Sequence, residues 1–548
     1  MGKKVIAVIL AAAALCGATA QQRWDTGGMV IDPNGVTAMD IFNYSSVSHN
    51  FGTARSMAMG GALTSLGGDM SSMAINPAGM GMYRTNDIVL TPMIGVAKSS
   101  TSDTSPFGKN SSTRFSIANF GVVLKAYEGT GKVVAVNVGF GYNRMADFNY
   151  RTSFSRADNA SSIAGVFARQ LQNSGMTSND FYDSQDRFDW WRIDPTYWGA
   201  ALGYKCGLVD DKSGTAPWAP DMFGNAPSVG QYASFESKGS IGEYALSAGM
   251  NIDNKVYIGL TLGIQNLYQR RDIYYGEDYA YADGNAPSGR EVRWFNYNQT
   301  AVVDGTGVNI KFGITYRPIP ALRLGVAVHT PTWYALDYKY QGAMMSRVYD
   351  NASGTYITPD PDGITEVWRD TGSDSWNFRT PARLLFGASY TFGRFAIISV
   401  DYERDWYNGI RTSSTPVGRG VYNEFFRQNF KGSNTVRVGA EVKPLPFMAV
   451  RAGYGYNGSM LKDDKTIFSS PVVYDTQYVS AGLGFTLSRY VYIDVAYQYV
   501  AQKFTTAKLF YALDNVGEND GTYYDDFSGN FSTKHKRHNI VMTLGFRF

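Results

Sequence analysis

The chain has little of what most catalytic or ligand-binding chemistry needs. Of its 548 residues only two are cysteine and four are histidine. Cys16 falls in an N-terminal leader, so Cys206 stands alone; an intrachain disulfide and a cysteine-based metal site are both excluded, and Cys206 reads as a buried, inert thiol. The histidines are His49, His329, His535 and His538, and no nucleophile-elbow motif accompanies any of them. The sequence therefore offers no enzyme, no cofactor and no metal site. Long hydrophobic runs are missing too. After the leader nothing approaches the roughly 18 to 20 consecutive apolar residues of a membrane-spanning helix. Charge of one sign is also missing: 50 basic against 47 acidic residues leave a net +3, which gives no electrostatic basis for nucleic-acid binding.

The leader sets the compartment. Lys3 and Lys4 precede the apolar run Val5 to Leu15 and the small-residue exit Ala18-Thr19-Ala20, which is the pattern of a secretory signal over 1–20 cleaved before Gln21. Leu15, where a small residue would be needed, argues against a lipoprotein anchored on Cys16. The mature chain is rich in glycine (59) and in Tyr, Phe and Trp (38, 31 and 10), with only 18% charged residues. Glycine relieves crowding in curved strands, and aromatic residues form the interfacial girdles of membrane barrels.

From about Asn86 the sequence repeats one pattern, strict alternation over segments about 10 to 14 residues long, the period of a strand with two unlike faces. Ile540, Met542, Leu544, Phe546 and Phe548 share one face of the last segment, and Asn539, Thr543, Gly545 and Arg547 the other. Val308 to Tyr316 and Leu324 to Val328 repeat the arrangement on either side of Pro318, so that lipid meets the apolar set. Connections alternate between short and long. The short ones lie near Glu128 to Gly131, Asp253-Asn254, Pro318 to Pro320, Gly393-Arg394, Pro444 to Pro446 and Ser488-Arg489. The long ones lie around 98–112, 146–240, 271–306, 333–381, 409–432, 461–475 and 505–534. Tight periplasmic turns and long external loops in alternation predict an all-β, antiparallel up-and-down transmembrane barrel of 14 strands over 86–548. The segment 21–85 is rich in Gly, Met, Ala and Ser, with no long helical pattern. A barrel this wide leaves a lumen that wall side chains do not fill, and 21–85 is the expected plug.

Several motifs have readings of their own. Asn76-Pro77-Ala78-Gly79 combines a fixed backbone, a permissive one and an amide able to tie the plug to the wall. Asn137, Gly139 and Gly141 share the lumen face of the third strand, where glycines mark either a kink or relief of crowding. Phe188, Trp190, Trp191 and Trp198 concentrate in the longest loop, as an external capture groove or as a loop core. His329 faces the lumen by parity, where it contacts either cargo or a structural partner. Gly453 to Gly458 matches a dinucleotide motif but sits in a strand without a βαβ unit. The acidic groups Asp360, Asp362, Glu366 and Asp514, Glu518, Asp520 read as solvated turns rather than cation loops.

The segment 69–80 (DMSSMAINPAGM) resembles the Asn-Pro-Ala plug segment of the FadL/TodX family of outer-membrane transporters of fatty acids and hydrocarbons. GVNIKFGITYRPIPALRLGVAVHTP (307–331), TPARLLFGASY (380–390) and VRAGYGYN (450–457) are similar to the family's strand and turn phrases, in the same order. The resemblance implies a plugged barrel in the outer membrane of a Gram-negative bacterium that takes hydrophobic cargo from outside into an apolar lumen pocket. Release would be sideways through a kink in the third strand, at Asn137, Gly139 and Gly141, without an energy source. Expected partners are that cargo, outer-membrane lipid and, through a last strand ending in Phe548, the barrel-assembly machinery. A haemin or porphyrin receptor and a general porin are the alternatives on the same architecture. The very long loop 146–240 departs from the family pattern and leaves the cargo open.

Overall fold

The computed structural model describes residues 31, 35–46, 51–102, 108–159, 162–211, 218–220, 228–281, 290–357, 365–370, 376–413, 419–463, 472–505, 507–508 and 530–548. The leader 1–20, His49, and the acidic groups at 360–362 and 514–520 lie outside them.

Fourteen strands close into one barrel: β1 Asp87–Thr101, β2 Lys109–Glu128, β3 Val133–Asp147, β4 Ser228–Ile252, β5 Val256–Ala280, β6 Arg290–Ile319, β7 Leu322–His329, β8 Arg383–Phe392, β9 Ala396–Trp406, β10 Gly432–Leu445, β11 Met448–Asn457, β12 Val473–Thr486, β13 Val491–Phe504 and β14 Thr533–Arg547. Each pairs antiparallel with its neighbours, and β14 closes on β1 from Asp87↔Arg547 to Thr101↔Thr533. Closure leaves no free sheet edge, the condition for placing a sheet in lipid. The six short turns fall where alternation breaks. Asp253 and Asn254 adopt φ of 56° and 52°, the left-handed pair that matches hairpin twist and that Asp and Asn tolerate best.

Alternation sorts the two faces. On β5, Leu260, Leu262 and Ile264 are exposed outward while Tyr257, Thr261 and Gln265 are buried inside; on β14, Ile540, Met542 and Phe546 face out and Asn539, Val541 and Thr543 face in. An apolar ring facing out over a polar interior is the arrangement of a barrel that crosses a membrane. No helix among the described residues is long and apolar enough to cross one.

The segment 271–306, expected as a loop, is instead a continuation of the wall over 271–280 and 290–306: β4, β5 and β6 run for 25, 25 and 30 residues. Parity continues while polarity reverses. Ile273, Tyr275 and Tyr279 now point in and are buried, with Tyr274 exposed outside, because above the bilayer the outer face meets water and the inner face meets protein. A further strand, Trp333–Asp350, pairs with upper β6, and Tyr150–Asn159 pairs with upper β4, so loops 146–240 and 333–381 also contain strands.

Helices fill the space inside and above. They are α1 Ala38–Ser45, α2 Ala54–Ala58, α3 Ser72–Ile75, α4 Ile163–Ser174, α5 Trp198–Lys205 and α6 Arg419–Asn429. The largest hydrophobic core lies in the external half, where Phe42 and Tyr44 of α1 join Phe167, Trp198, Tyr297, Tyr338 and Phe426.

Candidate lumen site

Residues 51–83 follow the inner wall through contacts that begin with local caps. The side chain of Thr53 caps α2 by accepting from Ser56 N and donates to both oxygens of Asp69, at 2.8 and 2.9 Å. Ala54 N donates to Thr543 Oγ1 of β14 at 2.7 Å, and Arg55 reaches Glu441 of β10 at 3.2 Å. Arg451 joins Glu441 at 2.7 Å and also pairs with Asp494. These groups surround a polar cavity of about 210 Å³ towards the periplasmic turns.

Wall glycines receive the segment. A Cβ built on Gly482 of β12 would lie 2.6 Å from Ala58 Cβ; on Gly387 of β8, 2.7 Å from Thr64 Cβ; on Gly249 of β4, 2.6 Å from Met80 Cβ. Gly259, Gly313, Gly325, Gly439 and Gly453 meet the backbone or side chains of Pro77, Asn76, Thr64, Met59 and Gly60 at still closer range. Gly249, Gly259 and Gly313 oppose one another across β4, β5 and β6, forming a flat floor for backbone-to-backbone approach, which any side chain would prevent.

The motif residues sit on that floor. Asn76 is buried; its amide donates to Thr64 O at 2.5 Å and, at 3.4 Å, to Thr315 Oγ1 of β6, while its oxygen accepts from Ala78 N at 3.1 Å. Pro77 occupies the first position of a 3₁₀ turn, Pro77–Met82, where its missing N–H costs nothing. Gly79 lies against Gly67 and Ser72, in a fold-back with no room for a larger residue. Asn76 thus contacts the wall and Pro77 opens the turn, while Gly79, which has no positive φ, is required for space and not for a permissive backbone.

Asn137, Gly139 and Gly141 face the lumen. Asn137 Nδ2 donates to Met80 O at 2.8 Å and Tyr83 O at 3.0 Å, and a Cβ on Gly141 would meet Met73 Sδ at 3.3 Å. The ladders from Asn137 to Asn143 run in register to both β2 and β4, with register shifts just outside them, at Lys125/Tyr127 of β2 opposite Asn137 and Val136, and at Val133/Ala135 and Arg144/Ala146 of β3. Of the two readings of its glycines, the structure displays room for Met73 and Met80. His329 points inward and is 3% exposed, with its Nε2–H donating to Ile75 O at 2.9 Å.

Above the segment the lumen is held by ion pairs between strands. Buried Lys311 pairs with Glu243, which also accepts from Gln265 at 2.8 Å and Asn309 at 3.1 Å. Arg437 and Arg383 share Glu403. On the other side of the barrel, beneath the end of α1, lies a cavity of about 140 Å³. Phe51, Phe148, Tyr150, Val500 and Phe504 are among its apolar lining, and Asn43, Gln269, Gln502, Asn539, His535 and the Asp147–Arg537 pair among its polar lining. Arg537 is held by Asp147 at 3.1 Å, which leaves the cavity without an unbalanced charge from this pair. The ring of His535 sits 4.3 Å from Phe504 and 4.8 Å from Tyr150. No group among the described residues has the ligand set for a metal ion.

The aromatic residues of the long loop pack on one another. Trp198 is 1% exposed and its indole N–H donates to Ile193 O at 3.1 Å and Trp190 O at 3.2 Å. Phe188 stands 4.7 Å from Trp190 and under the Lys205 ammonium at 4.8 Å. The turn before Phe188 is fastened by Asp183, whose carboxyl is held below its ordinary range first by the Arg187 backbone N–H and then by its guanidinium. Trp198 is therefore a core residue rather than a groove lining, because its two hydrogen bonds and its burial fix it inside; Trp191, 78% exposed, is the member of the set presented to solvent. Cys206 is buried as expected, its thiol 3.5 Å from Met344 O.

No protein-family model matches the chain, and no curated protein does. Among solved structures it is similar to the toluene transporter TodX of P. putida, with 11% identity over 91% of this chain and 99% of that one and a TM-score of 0.48. A FadL homologue of Pseudomonas aeruginosa shares 13% identity over 94% and 99% of the two chains at a TM-score of 0.47. The toluene transporter TbuX of Ralstonia pickettii shares 13% identity over 90% and 98% at 0.44.

Proposed function

We propose that the protein is an outer-membrane channel for passive uptake of small hydrophobic molecules, with residues 21–85 acting as a plug whose displacement opens the lumen. The observation that carries this reading is the cavity of about 140 Å³ between α1 and the wall. Its aromatic rings and amides, with the Arg537–Asp147 pair balanced in the wall beside them, suit a small molecule that is mostly apolar. A cavity of about 150 Å³ takes up benzene, so this one holds a single ring or a short stretch of chain at a time. Burial of roughly 0.8 kcal/mol per methylene retains such a molecule without trapping it.

Around the cavity, the lipid-facing apolar ring places the chain in a membrane, and the outward Phe546 and Phe548 give the assembly machinery an aromatic signature on the last strand. The described residues give the haemin alternative little to work with, since the ring of His329 is spent on Ile75 O. The porin alternative would need an unobstructed lumen, whereas residues 51–83 lie across this one.

The test is mass spectrometry of apolar molecules that co-purify with the detergent-extracted protein, paired with single-channel conductance, for the intact chain and for a variant lacking 21–85. A hydrocarbon or fatty acid retained only by the intact chain, with conductance rising on deletion, is the expected result. High conductance in both forms and no bound molecule would replace this reading with a porin.

A further inference from the structure

The outward basic residues of the barrel are of two kinds. On β4 and β5, Lys238 stands opposite Arg270, and the next outward row sets Glu236 opposite Asp272. Each cation there has its own carboxylate: Lys238 meets Glu236 at 2.9 Å and Arg270 meets Asp272 at 2.9 Å.

Where the barrel closes, that balance is missing. Lys98 of β1 pairs directly with Lys536 of β14 and, on its other side, with Ser111 of β2. In the next outward row Ser100 lies between Lys109 and Lys534, and Lys534 in turn faces Lys503 of β13. Lys98, Lys109, Lys534 and Lys536 are exposed, and among the described residues none of their ammonium groups meets a carboxylate. Asp475 stands at the margin, 3.8 Å from Lys503. The inner face of the same tract is balanced, since Arg537 points inward and pairs with Asp147 at 3.1 Å. Like charges directly opposed across a ladder repel, with Cβ atoms about 5 Å apart, so the bare patch is costly until an anion covers it.

Its height on the barrel is that of lipid headgroups. Ile94 and Ile540, directly opposed, are exposed to lipid, as is Phe115 beside Ile94. Lys98 and Lys536 stand four residues further out, a rise of about 10 Å at about 3.3 Å per residue and a tilt near 40°. Between the two levels the Tyr497 hydroxyl meets His538 Nδ1 at 2.7 Å, and the ring of Tyr499 lies 5.3 Å from that of His538. These rings form the aromatic level at which a barrel wall passes from hydrocarbon to headgroups.

We propose that this patch binds a phosphorylated lipid headgroup of the outer leaflet, with its phosphates held by Lys98, Lys109, Lys534 and Lys536 and its acyl chains laid along Ile94, Ile540 and Phe115. Ammonium groups are strong donors to phosphate oxygens, and the hydroxyls of Ser100 and Ser111, set among the lysines, add two more. Because the site straddles the ladder between the first and last strands, a bound headgroup both neutralises the patch and clamps the closure of the barrel. The site is independent of what the lumen carries.

The test uses the whole protein in phosphate-free detergent, with bisphosphorylated lipid A and its dephosphorylated form as probes, read by native mass spectrometry and by the heat-induced mobility shift. The wild type should hold the phosphorylated form roughly 100-fold more tightly than the other and unfold at a higher temperature with it. Combining Lys98→Gln, Lys109→Gln, Lys534→Gln and Lys536→Gln should abolish both effects. Without lipid that variant should be at least as heat-stable as the wild type, because the repulsion is gone. Lys238→Gln with Arg270→Gln should leave lipid binding intact. Equal binding by the wild type and the fourfold variant, or equal loss in the Lys238 and Arg270 variant, overturns the site. A fourfold variant less stable than the wild type without lipid overturns the repulsion argument and the site with it. Stabilisation by millimolar inorganic phosphate equal to that by lipid A overturns the lipid in favour of a free anion.

Discussion

Gly249→Ala adds one methyl group at one of the wall glycines on which the N-terminal segment is seated. The new Cβ would stand 2.4 Å from Gly81 N and 2.6 Å from Met80 Cβ, and ordinary contact begins at 3.4 Å, so the segment must retreat by 1.0 Å (3.4 − 2.4). Gly249 pairs directly with Asn137, whose amide donates to Met80 O at 2.8 Å. A retreat of that size takes the distance to about 3.8 Å, beyond a hydrogen bond. Overpacking costs roughly 1 to 3 kcal/mol and the lost bond about 1 kcal/mol more. The total of about 2 to 4 kcal/mol raises the detached population roughly 30- to 700-fold. The wall itself is untouched, because Gly249 keeps its ladder partners. Electrical recording in planar bilayers should therefore show frequent openings in Gly249→Ala, with an unchanged heat-induced mobility shift of the barrel. Gly95→Ala, whose Cβ would meet only Asn539 Oδ1 at 3.3 Å, should behave as wild type. Wild-type opening frequency together with wild-type proteolytic protection of 76–83 in Gly249→Ala would refute the argument that glycine seats hold the segment.

Two further perturbations follow from the same inventory. Lys311→Met strands the buried Glu243 carboxylate and should cost about 3 to 5 kcal/mol, read as a lower thermal transition that a second change, Glu243→Leu, largely restores. Glu277 accepts from Ser162 Oγ at 2.6 Å, Ile163 N at 2.8 Å and the hydroxyls of Tyr275 and Tyr279, so Glu277→Ala should free α4 from the wall at a cost of roughly 2 to 4 kcal/mol, seen as faster hydrogen exchange over 162–174 with the barrel transition unchanged.

The strands within the bilayer and their turns were legible because lipid imposes a rule on every second residue: Leu260, Leu262 and Ile264 could not have been polar. Above the bilayer that rule reverses, and a hairpin such as 271–280 with 290–306, whose Ile273, Tyr275 and Phe295 point inward among polar neighbours, looks like a loop to anyone counting lipid-facing positions. The seats for the N-terminal segment were hidden for another reason. Gly249, Gly259 and Gly313 are far apart in sequence and align only once the register of three strands is known. The tie between Asn76 and the wall could be anticipated from its amide, but not its partner, Thr315.

The unbroken run of β6 from Arg290 to Ile319 has a consequence for where the molecule meets its surroundings. Its lipid-facing residues end near Val308, so the residues before it rise, at about 3.3 Å each and a tilt near 40°, to roughly 40 Å above the bilayer. A tower of that height sets the outer end of the wall well away from the lipid surface. Because Phe42, Trp198 and Tyr297 pack inside that height, the proposed cargo would have to work its way through a filled aromatic core, and the rate of entry would be set by how readily that core loosens.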